Sequence, residues 1–253
     1  MQMFTLVLKR SEEIADRTRL FAFEKPLGFV FQAGQYVVLR IPQDRLVEAD
    51  ARGGVRSFSI ASAPSDTDLC FVMREGESGF KKTLWNMPLG ETIVSSAAVG
   101  RCTVPAEDMN PVVLVAGGVG ITPARSILRE AEKNGDSRPY YLFYSNRLLK
   151  DAAFHEELLA MTLPHFSYIW TLSLESSAPE KKGEERGYID ERMLRKYLPG
   201  VPAAHYYVIG APAFTEAMCG VLVGMGVHKE NINIDPFTGL GGPPVPKAVR
   251  KED

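Results

Sequence analysis

Leu114-Val115-Ala116-Gly117-Gly118-Val119-Gly120-Ile121-Thr122-Pro123-Ala124 is the stretch that decides the fold of this chain. From Pro111 to Ala116 the sequence is an unbroken apolar run, the pattern of a parallel strand buried on both faces. Gly117, Gly118 and Gly120 then make a turn without side chains, which lets backbone amides approach an anion. Thr122 reads as the N-cap of a helix and Pro123 as its first residue, so the free amides and positive dipole end face the space the glycines open. A tight turn without a ligand is the alternative reading, and Pro123 in place of a third glycine makes the dinucleotide fingerprint a loose fit.

Downstream, strands and helices alternate. A helical pattern over Pro123 to Asn134 ends at Asn134-Gly135, and Tyr140 to Ser145 reads as the next strand. Asp151 reads as the cap of a helix carrying Phe154, Leu158 and Met161, followed by a strand over Phe166 to Ser173 and a polar loop over Glu175 to Arg186. Tyr206 to Ile209 is a strand entering the turn Gly210-Ala211-Pro212, and Phe214, Met218, Val221, Leu222 and Met225 follow at helical spacing. A last strand spans Asn231 to Asp235. In a doubly wound sheet the ligand lies at the carboxyl ends of the strands, where Gly117 to Gly120, Ser145-Asn146-Arg147 and Gly210 to Pro212 all fall. Ser145 and Arg147 offer a hydroxyl and a guanidinium where a carboxylate would repel a ribose 2′-phosphate, which favours NADPH over NADH and leaves both open.

Upstream of a composition shift at Pro105 to Pro111, short β-rich runs alternate with Gly/Pro turns at barrel-like spacing: Phe4 to Lys9, Tyr36 to Ile41, Ser57 to Ala61, Leu69 to Arg74 and Thr92 to Ala97. One of them, Arg56-Ser57-Phe58-Ser59-Ile60-Ala61-Ser62, places Arg56, Phe58 and Ile60 on one face. An ordinary barrel strand has this pattern. So does a flavin site, with a guanidinium for a phosphate, an aromatic ring to stack and a hydroxyl for a ring nitrogen.

Together and in this order, the two segments resemble the ferredoxin-NADP reductase family of flavoenzymes, over about Met3 to Leu240. Gly117 to Pro123 matches that family's Gly-Gly-x-Gly-Ile-Thr-Pro in full. The family's Arg-x-Tyr-Ser is matched by Arg56, Phe58 and Ser59, with phenylalanine for tyrosine. The resemblance assigns Arg56 to the flavin phosphate, Phe58 to stacking and Ser59 to flavin N5, and it makes Phe58 and Ser59 the catalytic pair. Met73 falls with the flavin contacts. Gly76-Glu77-Ser78-Gly79-Phe80-Lys81-Lys82 resembles the segment leading into a short helix that binds the flavin pyrophosphate, which brings in Phe80, Lys81 and Lys82. Ile209-Gly210-Ala211-Pro212 is similar to the family's Cys-Gly-Pro turn, with Ile209 in the cysteine position. Pro236-Phe237-Thr238-Gly239-Leu240 is similar to its Phe-x-Gly-Tyr ending, with Leu240 for the aromatic.

The fold these imply is an N-terminal antiparallel β-barrel that holds flavin (1–106), a doubly wound parallel-sheet NAD(P)-binding domain (107–240) and a flexible tail (241–253). The cofactors implied are FAD, with FMN open, and NADPH or NADH. Electrons would pass to a separate acceptor such as ferredoxin or flavodoxin. A free flavin reductase, or a nucleotide-binding regulatory subunit without efficient turnover, remains an alternative.

Bulk properties set limits. The chain has 253 residues, 45% hydrophobic and 24% charged, and a net charge of -2, which argues against a nucleic-acid partner. No run approaches the roughly 18–20 apolar residues of a membrane span, and Met1 to Arg10 lacks a signal-peptide pattern, so a cytoplasmic protein is expected. Cys70, Cys102 and Cys219 are too few and too scattered to ligate an iron–sulfur cluster. His155, His165, His205 and His228 form no zinc pattern, and no metal is expected.

Overall fold

The computed structural model describes residues 2–179, 181–198, 200 and 203–237. The first half is a six-stranded antiparallel sheet of β1 (Met3–Ala15), β2 (Thr18–Glu24), β3 (Tyr36–Arg40), β4 (Val55–Ser59), β5 (Asp68–Arg74) and β6 (Thr92–Ser96), ordered β4-β3-β6-β1-β2-β5. A helix, α1 (Gly79–Trp85), lies between β5 and β6. Strand β1 runs past the expected Lys9 because it serves two neighbours: Met3 to Val7 pair with β6, and Leu8 to Ala15 with β2. Register shifts at Leu8/Arg10 and Glu13/Ala15 bend it between them. The sheet curls until the chain leaving β4 reaches β5, where Ala61 N–H donates to the Cys70 carbonyl at 2.7 Å.

Strand β2 is an addition to the sequence reading. Its Leu20 to Phe23 are all buried, Phe21 and Phe23 inside the barrel and Leu20 and Ala22 against the second domain. With both faces covered, no alternation marks the strand.

The second half is a parallel sheet of β7 (Val112–Gly117), β8 (Tyr140–Asn146), β9 (Phe166–Leu172), β10 (Glu184–Arg186), β11 (His205–Gly210) and β12 (Ile232–Pro236), ordered β10-β9-β8-β7-β11-β12. Helices α2 (Ile121–Lys133) and α3 (His155–Leu159) cover one face, and α4 (Glu191–Tyr197) and α5 (Pro212–Gly224) cover the other. The chain winds outward from β7 in one direction through β10 and then in the other through β11 and β12. This reversal opens a crevice at the carboxyl ends of β7 and β11. The short strand β10 lies inside the segment read as a polar loop, and α4, capped by the Asp190 carboxylate on Met193 N–H, was not anticipated.

Two cap assignments need correction. Gly118 to Gly120 form a 3₁₀ turn that runs straight into α2, so Thr122 lies within the first turn and is not its cap; its hydroxyl donates to the Val119 carbonyl at 2.6 Å. Asp151 accepts from Leu148 N–H, and α3 starts only after Phe154, whose φ is +62°. Asn134-Gly135 does end α2 as expected, with Gly135 at φ +61°.

Helix α2 joins the two halves. One apolar core runs from Leu20, Ala61, Cys70 and Val72 of the barrel to Ala124, Ile127 and Leu128. Along it, Arg125 donates to the Ala61 carbonyl at 2.8 Å while pairing with Glu157, Ser126 Oγ donates to the Ser62 carbonyl at 2.6 Å, and Arg129 pairs with Asp66. Residues Thr238 to Leu240, with their similarity to a family ending, and the tail 241–253 lie outside the described residues.

Candidate functional site

Four stretches of chain end side by side at the carboxyl edge of the parallel sheet. Gly117 stands opposite Ser145 and Gly210 opposite Pro236 in the strand register, and Phe237 N–H donates to the Gly210 carbonyl at 2.7 Å. A Cβ on Gly210 would stand 2.9 Å from the Phe214 ring and 3.3 Å from the Gly117 oxygen, so the two glycine loops touch. The edge therefore gathers Gly117, Gly118, Gly120, Ser145, Asn146, Gly210, Pro212 and Phe237.

The glycines do different jobs. Gly118 has φ +53° and nothing within 4 Å of where a Cβ would be, so it leaves the crevice open. At Gly120 a Cβ would meet the Ile209 carbonyl oxygen at 2.4 Å, and glycine there allows α2 to pack on β11. Asn146 is 6% exposed, yet among the described residues neither atom of its amide makes a hydrogen bond. A buried amide without partners costs about 1–3 kcal/mol, and a polar ligand at this edge would satisfy it. Arg147 is exposed at the rim, and its guanidinium has no ion-pair partner among the described residues. The hydroxyl of Thr122 donates to Val119, which leaves its oxygen as an acceptor toward a ligand.

The barrel approaches this edge at Tyr36, which Asp235 of β12 influences electrostatically and which pairs with Ser59 across β3 and β4. Ser59 is half-buried, and its hydroxyl has no partner among the described residues. Asp235, at the end of β12, is the residue the sequence reading missed. Burial alone pushes its carboxyl up to about 6. It lies close enough to reinforce the effect of burial in raising the Tyr36 phenol and the Cys102 thiol. In sequence it is simply the last polar residue of a strand; its role comes from where β12 stops.

Farther along the barrel, Phe58 packs at 5.9 Å on Phe80 and 6.2 Å on Phe71, part of the barrel wall with partial exposure left. Met73 and Phe80 have their side chains inside the barrel core, and the Phe80 main-chain N–H donates to Asp50 at 2.9 Å. Arg56, only 7% exposed, forms an ion pair with Asp50 in which Nη2 donates to both carboxylate oxygens, at 2.7 and 2.6 Å. Burial opposes the charge on Asp50, but Phe80 N–H, Arg56 and Arg52 N–H outweigh it and hold the carboxyl well below its usual range. Lys82 is compensated by Glu48 and Glu77. Lys81 is not: its ammonium pKa is pushed down by burial and then by Arg56, Arg74 and Arg52. Such a surplus of positive charge fits a doubly charged phosphate group. Among the described residues there is no cluster of metal-ligating side chains.

Residues 114–220 match the oxidoreductase NAD-binding domain. The chain is 28% identical, over 85% of its length, to the reductase component of propane 2-monooxygenase from Mycolicibacterium goodii. It is 26% identical, over 83%, to the ferredoxin–NAD(P)(+) reductase component of the naphthalene 1,2-dioxygenase system of Pseudomonas putida, and it spans 61% of each of these relatives. Ferredoxin–NADP reductase B of Sorangium cellulosum is 27% identical over 87% of the chain and 91% of the relative. The ferredoxin NADP+ reductase of Neisseria gonorrhoeae, solved with FAD and NADP, superposes with a TM-score of 0.75 at 18% identity, covering 93% of this chain and 99% of that one. The glycine edge and these likenesses agree: residues 114–220 carry an oxidoreductase NAD-binding domain, and the chain as a whole is similar to ferredoxin–NADP reductases and to the reductase components of oxygenase systems.

Proposed function

We propose that this chain takes reducing equivalents from NAD(P)H through FAD and passes them singly to a separate acceptor such as a ferredoxin or flavodoxin. What supports this reading is the open glycine edge at Gly118 together with Asp235 at the end of β12, which lies within electrostatic reach of Tyr36, the barrel residue paired with Ser59. A flavin bound on the barrel supplies the ring that accepts a hydride and releases electrons one at a time. The chain's own task is positioning. Ser59 offers an O–H to the ring edge, the Gly117–Gly120 amides and Asn146 hold the dinucleotide, and Asp235 holds or releases a proton at its carboxyl oxygen. Flavin-loaded protein should bleach on anaerobic addition of NADPH or NADH; a spectrum unmoved by both donors overturns the reading.

Asp235 gives this reading a pH signature. Its ionised carboxylate stabilises positive charge appearing on a nicotinamide as hydride leaves, so flavin reduction should speed up as pH rises through about 6. Asp235→Asn should remove that step and slow reduction by about tenfold or more. Stability moves the other way. A carboxyl titrating above its unfolded value contributes most below the ordinary carboxylate range and loses this as pH rises through about 6, so Asp235→Asn should be the more stable protein at pH 8. Stopped-flow reduction and urea unfolding across pH 5–8 check both.

The exposed guanidinium of Arg147 favours NADPH as donor. Arg147→Ala should weaken NADPH by about ten- to a hundredfold with NADH nearly unchanged, and rising salt should shrink the wild-type preference. Steady-state rates with both donors at low and high salt test it; equal losses would assign Arg147 to the shared part of the dinucleotide.

A free flavin reductase is the second reading, favoured by the ion pair that already occupies Arg56.

A further inference from the structure

The Arg56 site contains an anion that belongs to the chain itself. Both oxygens of Asp50 accept from Arg56 Nη2, and they also accept from Phe80 N–H at 2.9 Å and Arg52 N–H at 2.9 Å, so donors that would suit a phosphate are directed at one carboxylate. The other arm of Arg56 donates to the carbonyls of Gly53 at 2.9 Å and Val55 at 2.7 Å. The segment carrying Asp50 lies directly on the chain at Gly79, where a Cβ would come within 2.3 Å of the Glu48 oxygen and 3.3 Å of Asp50 Cβ.

We propose that Asp50 is a resident competitor for the flavin-phosphate site, and that a flavin is held by its phosphate only after the 48–54 segment has withdrawn Asp50 from Arg56. The inference rests on the flavin reading given above. Charge argues for exchange: the Lys81 ammonium is disfavoured first by burial and then by Arg56 and Arg74, it donates to the Arg74 carbonyl at 2.9 Å, and a group of higher negative charge than one carboxylate would favour it more. Geometry argues for it too. The segment returns to β4 through Gly53 at φ +65°, a backbone that can swing without a side chain to drag, and Gln43 to Ala49 before it carry few buried groups. Apparent affinity for any phosphate-bearing flavin is then the intrinsic affinity multiplied by the fraction of molecules in which Asp50 has left. Asp50 thereby becomes the residue that sets how firmly FAD is retained relative to a flavin without phosphate.

The test is titration of flavin-free protein with FAD, FMN and riboflavin, followed by flavin fluorescence, for the wild type and Asp50→Asn. The amide keeps the size and acceptor oxygen of Asp50 and loses its charge. FAD and FMN should tighten by about tenfold or more, with riboflavin changing less than about twofold. Equal changes for all three, no change, or weaker FAD would make Asp50 a strut that orients Arg56 and overturn the proposal. If neither protein binds any flavin, the flavin reading itself fails and takes the proposal with it, a result distinct from unchanged binding. Wild-type protein gives a check that needs no variant: FAD should speed trypsin cleavage after Arg45 and Arg52, riboflavin should not, and protection of these sites by FAD would also overturn it.

Discussion

Arg56→Ala is expected to unfold about 3–5 kcal/mol more easily than the parent, the usual cost of removing one partner from a buried ion pair. Asp50 would stay behind, 8% exposed, with two backbone N–H donors and no guanidinium. The loss should therefore shrink in the double variant Arg56→Ala/Asp50→Asn, which removes the stranded charge. The pH dependence follows from the sign of the shift. Asp50 titrates below its unfolded value, so the pair's contribution is complete above about pH 4 and declines as pH falls toward the folded pKa; Arg56→Ala should have a flatter acid limb. Urea unfolding of the three proteins between pH 3 and 7 measures all of this. Flavin affinity of Arg56→Ala should fall as well, by about ten- to a hundredfold if the phosphate fork exists. A variant as stable as its parent would mean the ion pair contributes nothing.

Gly118 and Gly120, two residues apart, should respond in opposite ways to substitution. Gly120→Ala drives a Cβ to 2.4 Å from the Ile209 oxygen and 3.0 Å from Gly210 Cα, both backbone atoms that give way only if β11 shifts. It should cost about 1–3 kcal/mol, as overpacking does, and disturb nucleotide and flavin binding together. Gly118→Asn places its side chain in open space, in a left-handed backbone that asparagine tolerates. It should leave stability within about 1 kcal/mol and flavin content unchanged, while raising KM for the nicotinamide by about tenfold or more, since the backbone approach to the dinucleotide is lost. Thermal melts, flavin spectra and steady-state kinetics separate the two. A Gly118→Asn protein that loses flavin and keeps nicotinamide affinity would reverse the assignment of the two halves.

What the sequence reveals here depends on whether order is local. The run Pro111 to Pro123 carries its own pattern, apolar strand then glycine turn then helix start, and the structure has each in place. Strand β2 is silent because burial on both faces erases its alternation, and α4 because seven residues with Met193 and Leu194 adjacent show no helical period. The two acids that matter most, Asp50 and Asp235, are silent for another reason. One sits on an irregular segment and the other closes a strand; Asp50 takes a donor from Phe80, remote in sequence, and Asp235 is shifted by its burial where β12 ends. Arg56 illustrates the converse: its residue type suggests a phosphate, and the structure shows a carboxylate already in its grip.

The seam along α2 bears on heat tolerance. Because barrel and sheet share one apolar core, stitched by Arg125, Ser126 and Arg129, neither half can melt without tearing the other's interior. Calorimetry should then record a single endotherm, and a dinucleotide captured at the sheet edge, though it touches little of the barrel, protects the barrel from denaturation by mass action on the whole chain.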